Sequence, residues 1–141
     1  MRGGGLVLDA RGYIIIKFSA YYSPGNSIKV ETRALFSGLS LCRMYNITIE
    51  DITSNSKILM GFIQQNTNTP WGLIYLIRKC NYLICNGMKV IHSLRVGNCA
   101  ADILDNKGGP GPTLVLDYSL GSLLNDCNLI VRGDSLGLHH Y

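Results

Sequence analysis

Apolar residues open the chain in two short runs, Leu6 to Leu8 and Tyr13 to Tyr21, separated by the polar turn Asp9-Ala10-Arg11-Gly12. Two strand-forming runs about such a turn predict an antiparallel hairpin, and Ser23-Pro24-Gly25-Asn26 closes its second strand. From Val30 to about Tyr45 the period changes. Ala34, Leu35, Gly38, Leu39 and Cys42 recur at three- and four-residue spacing, which predicts a helix. Ile47 to Ser54 predicts another strand, interrupted by Glu50 and Asp51. Ser56 to Gln64 predicts a short helix, Asn66 to Pro70 a loop, and Leu73 to Leu83 a further helix. Val90 to Leu94 is the last strand of the pattern and Asn98 to about Lys107 the last helix. Gly108-Gly109-Pro110-Gly111-Pro112 then breaks it. Residues 1–108 are therefore expected to form the domain and 109–141 a C-terminal extension. Within that extension Thr113 to Leu116 has strand character and Leu120 to Leu124 that of a helical turn. The order strand, strand, helix, strand, helix, helix, strand, helix describes an α/β layer protein with a mixed sheet.

Composition narrows the class. At 141 residues one domain with a single core is expected, and 47% hydrophobic with 16% charged residues excludes a disordered chain. No apolar run reaches the roughly 18 residues of a membrane span. The opening MRGGGLVLDARGYIII, broken by Asp9 and Arg11, lacks the layout of a secretory signal, so an intracellular protein is expected. In that setting the sequon Asn46-Ile47-Thr48 is a chance match. A net charge of +4 is compatible with nucleic acid and equally with many other domains. Five cysteines (Cys42, Cys80, Cys85, Cys99, Cys127), without a C-x-x-C pair or clustered histidines, point to free thiols in a reducing compartment. Gly3 to Gly5 do not follow a strand or open a helix, so they are no phosphate loop.

Three places carry candidate chemistry. Glu31 opens the helical VETRALFSGLSLC on the same face as Leu35, Gly38 and Cys42, where a carboxylate is costly unless compensated. Asn55-Ser56-Lys57 lies where the middle strand ends and a helix starts. In HSLRVGNCAAD, His92 ends the last strand, Gly97-Asn98 reads as a turn with Asn98 as helix cap, and Asp102 lies in the first turn of the last helix. All three are ends of elements, the usual location of sites in open α/β sheets. His92 suits a single local hydrogen bond as well as a site, and Lys57 and Arg95 suit solvent as well as phosphate. Trp71, after Pro70, reads as a core or loop anchor.

VETRAL, SNSK and HSLRVGNCAAD together resemble the ribonuclease H-like domain widespread in plant retroelement-derived proteins, whose patterns run roughly A-E-x-x-A-L, E-x-D-S and H-x-x-R-E-x-N-x-x-A-D. The opening GGGLVLDARG is similar to that family's second strand and following turn, and the 24 positions from Glu31 to Asn55 fit it without a gap. The resemblance covers about Gly3 to Gly108, and LLNDCNLIVRG (Leu123 to Gly133) is similar to the family's frequent C-terminal extension. It implies a three-layer α/β fold with a mixed sheet and endonucleolytic cleavage of RNA in RNA/DNA hybrids. Two Mg²⁺ ions about 3.5–4 Å apart clamp the attacking and leaving oxygens in such cleavage.

The family supplies four acids, on its first strand, first helix, fourth strand and last helix. By resemblance Glu31 and Asp102 hold two of these positions and are the implied metal ligands. Asn55 stands at the third, a neutral amide where the family has Asp, and His92 stands beside the site. Ser56, Lys57, Arg95 and Asn98 are the implied nucleic-acid contacts. The first strand and its Asp have no counterpart, since the sequence begins about four residues before the second strand. In the family that strand is central, flanked by the second and fourth. The expectation is a defective sheet of four strands with the tail packed outside it. The alternative inserts Thr113–Tyr118 into the gap and brings Asp117 near Glu31. Glu31, Asn55 and Asp102 are expected on one face, within roughly 10 Å of one another. With half the acids missing, Mg²⁺-dependent cleavage is expected to be lost or impaired. The rival readings are a non-catalytic module binding hybrid or double-stranded RNA through backbone and 2′-OH contacts, and a non-functional retroelement fragment.

Overall fold

Asp9 makes the first hairpin. Its side-chain Oδ1 accepts the backbone N–H groups of Arg11 at 2.9 Å and Tyr13 at 3.0 Å, and Gly12 takes a φ of 87°, a value open to glycine at no steric cost. This turn joins β1 (Arg2–Leu8) to β2 (Ile14–Tyr21), antiparallel as the pattern predicts. The computed structural model describes residues 2–21, 27–65, 68–84, 87–96, 99–100, 103, 114–117 and 127–134.

Helix α1 (Ser27–Met44) buries Val30, Ala34, Leu35, Gly38, Leu39 and Cys42 on one stripe. It stops in a Schellman motif: Ile47 N–H donates to Cys42 O at 2.8 Å and Asn46 N–H to Arg43 O at 3.3 Å. Asn46 itself turns to φ 57°. Strand β3 (Thr48–Ser54) follows. Ile49 pairs with Gly133 and Asp51 with Arg132, so Glu50 is the extra residue of a bulge. The bulge explains the interruption seen in the sequence, because one inserted residue brings Ile49 and Ile52, three apart, into the same core. Then come α2 (Lys57–Ile63), a 3₁₀ turn (Trp71–Leu73) leading into α3 (Ile74–Leu83), and β4 (Lys89–His92). Val96, Cys99, Ala100 and Ile103 are helical.

Two strands come from the tail, β5 (Leu114–Asp117) and β6 (Cys127–Asp134), and the sheet has six strands in the order β4-β3-β6-β1-β2-β5. This corrects the expectation of a four-stranded sheet with the tail outside. β6, within the stretch read as an external extension, lies between β1 and β3, where the gap was expected. The segment suggested as an alternative filler instead adds to the outer edge, with Leu114 in register with Ile16. The boundary at 108 therefore does not divide the sheet. The physical reason lies in Leu129-Ile130-Val131. Three consecutive apolar residues, all buried, satisfy a strand covered on both faces, whereas an edge strand needs only one apolar face.

β6 runs parallel to β1 and antiparallel to β3. A strand joined to β1 by a tight turn would run the opposite way, since hairpin partners are antiparallel. The central position is thus filled with reversed polarity. On one face Val7, Phe18, Ile52, Leu129 and Val131 meet residues of α1, α2 and α3. On the other, Leu6, Leu8 and Ile130 meet Val96, Ala100 and Ile103. The result is an α/β structure of three layers. No helix among the described residues is long and apolar enough to cross a membrane.

Candidate functional site

β3 and β4 end side by side. Ser54 is in register with His92, and Ser93 N–H donates to Ser54 O at 2.9 Å. β6 begins at the same end, its Leu129 pairing with Ser54 on one side and Gly5 on the other. β2 finishes there too, Ala20 lying opposite Gly3. α1 starts six positions after Tyr21 and closes over the opposite end, where Ile47 lies against Gly133. Gly38 sits over Leu129 and Phe18. Glu31 is seven residues nearer the helix start, about 10 Å along the axis at 1.5 Å per residue. The topology therefore brings half-buried Glu31, Asn55 and exposed His92 to one end of the sheet.

The expectation of one shared face turns on Asp102, which is not among the described residues. α1 covers one face, whereas Val96, Ala100 and Ile103 cover the other. What these elements have in common is a sheet end. Asn98 lies outside the described residues as well. The helix begins upstream of the predicted cap: Val96 is already helical, and Cys99 N–H donates to Arg95 O at 2.9 Å. The preceding turn is closed by Ser93, whose Oγ accepts the Arg95 N–H at 3.2 Å.

Ser56 caps α2, its hydroxyl accepting the Leu59 N–H at 3.1 Å, and its own N–H donates to Ser54 Oγ at 3.1 Å. At 8% exposure its role is that of a cap. Lys57, the next residue, and Arg95 are exposed. Asn55 Oδ1 is buried and has no hydrogen-bond partner among the described residues.

Do these residues fit the pair of Mg²⁺ ions that the resemblance implies? Mg²⁺ prefers carboxylate oxygens, and the described residues include no group of three His, Cys, Asp or Glu able to hold a metal. Other acids among the described residues do not fill the deficit. Asp134, on β6, pairs with Thr48 at the far end of the sheet. Asp51 stands in register between Arg132 and Lys89, three residues before Ser54. Asp117 is on β5, four strand spacings from β3, about 19 Å at 4.8 Å each. With Asn55 neutral, Glu31 and Asp102 alone do not balance two divalent ions. The described residues do not fit a two-ion centre.

Trp71, read as an anchor, is 90% exposed. Tyr75 and Tyr82 are exposed as well. The spacing 71, 75, 82 was a readable helical stripe that the core reading of Trp71 concealed. The thiols of Cys42 and Cys80 are buried and free, and burial pushes both up to about 12. No protein-family model, curated protein or solved structure matches the chain at a significant level.

Proposed function

We propose that the chain is a divergent ribonuclease H-like domain that holds an RNA-containing duplex at the Ser54–His92 end of its sheet without hydrolysing it. The observation that carries this reading is the slot between β1 and β3. Hairpin, helix, strand, two helices and strand follow in the order the resemblance requires, and the two strands that should flank a central strand remain one strand apart, with β6 between them. The supporting chemistry is local. Lys57 and Arg95 are exposed cations suited to backbone phosphate. The preference for an RNA-containing duplex comes from the resemblance, the 2′-hydroxyl being the group that distinguishes RNA from DNA. Hydrolysis is not part of the proposal, because the carboxylates are too few.

The test compares a labelled RNA/DNA hybrid with the DNA duplex of the same sequence, by anisotropy, across salt concentrations. Tighter, salt-sensitive binding of the hybrid, without Mg²⁺-dependent cleavage, is expected. Cleavage abolished by Glu31→Gln would overturn the non-catalytic part. Absence of binding to either duplex would overturn the whole.

A further inference from the structure

We propose that the groove between α1 and α3 is a docking site for an acidic amphipathic helix of a partner protein. This surface is independent of the duplex-binding reading, being formed by the outward sides of two helices. It encloses about 610 Å³. Phe36 and Leu83 give it an apolar floor, and Met44, 69% exposed, stands open at one end. Tyr75 and Tyr82 are 72% and 76% exposed. Aromatic residues, Met and Arg are the types enriched at the centres of protein interfaces.

Charge selects the partner. Arg43, Arg78 and Lys79 line the groove, and none of its described lining residues is acidic. The Lys79 ammonium lies 4.4 Å from the Tyr75 ring centre and 5.6 Å from that of Phe36, and the Arg43 guanidinium lies 5.7 Å from that of Tyr82. Such cation–π contacts hold the charges against the groove walls. They also occupy the ring faces on which successive nucleobases would stack. Carboxylates reach the same cations from the side, without needing those faces, and charge-assisted pairs with Arg are strong. From Tyr75 to Tyr82 the exposed stripe extends about 10 Å at 1.5 Å per residue, or two turns. That length matches apolar anchors at i, i+4 and i+7 of a docked helix.

The experiment screens the full chain against a displayed library of helical peptides randomised at surface positions without charge bias. The same selection is run against two variants of exposed residues, Arg78→Glu/Lys79→Glu and Met44→Asp, each first shown to melt like the parent. The expected clones carry Leu, Phe or Trp at helical spacing flanked by Asp or Glu, and bind both variants at least tenfold more weakly. A fluorophore on the synthesised peptide reports its docking through anisotropy. Enrichment without an acidic bias, clones indifferent to the variants, or no enrichment would overturn the proposal. So would binding of oligothymidylate that depends on Arg78 and Lys79 while no peptide is selected.

Discussion

A Cβ atom added to Gly133 would stand 2.5 Å from the carbonyl oxygen of Thr48. Backbone yields little at that distance, so β6 fits against β3 only because the residue has no side chain. Gly133→Ala is expected to destabilise the fold by about 1–3 kcal/mol, as overpacking does. Gly72→Ala, where nothing lies within 4 Å, is expected to stay within about 0.5 kcal/mol. Denaturant melts of the two variants check this, and equal effects would refute the close approach.

Leu129 is 2% exposed and touches the α1 layer at Gly38. Leu129→Ala is expected to cost about 2–5 kcal/mol, the range for a large buried side chain replaced by alanine. Leu94→Ala, at a site 82% exposed, serves as the near-neutral control. A chain ending at Asp126 is expected to melt broadly and without cooperativity. A sharp melt of that truncated chain would place β6 outside the structural sheet.

The buried thiols give a pH dependence. The folded state holds the Cys42 and Cys80 protons up to about pH 12, against an ordinary value near 9. Between these values the unfolded chain binds fewer protons, so stability falls as pH rises, by up to about 1.4 kcal/mol per unit for each thiol. Below pH 9 the contribution is fully present. Denaturant melts of the parent and of Cys42→Ala/Cys80→Ala between pH 8 and 11 measure the difference. At pH 8 exposed Cys99 is expected to react with a thiol reagent while Cys42 and Cys80 do not, the thiolate being the nucleophile. Mass spectrometry of the labelled native chain reads this directly.

Contacts to phosphate are expected to show in the salt dependence. Lys57→Ala and Arg95→Ala should each lower the slope of log K against log salt by about 1. Asn55→Asp should not create Mg²⁺-dependent cleavage, since it restores one acid of the two that are missing.

The hairpin, α1 and α3 were legible because their signals are local: a polar turn from Asp9 to Gly12 and apolar spacing of three and four. The helix after β4 was legible in kind, but its start was not. Asn98 is a favoured cap residue, yet Ser93, five residues earlier, closes the turn that leads into the helix. β6 was missed for a different reason. Leu129-Ile130-Val131 carries the signature of a doubly covered strand, but its partners Gly5 and Ser54 are remote in sequence, and pattern alone does not name partners. Of the site, the placement of Asn55 and His92 at strand ends was readable. Asp102, the partner expected for Glu31, lies outside the described residues.

The position of β6 has a consequence for biosynthesis. Gly5 and Leu129, neighbours in the finished sheet, are 124 positions apart. A chain emerging N-terminus first therefore completes the β1–β2 hairpin and the β3–β4 pair before the strand that joins them exists. Contacts so distant in sequence close slowly, and during that interval the facing edges of both pairs are open to other chains. Chaperone demand should be concentrated in the interval before residues 127–134 emerge.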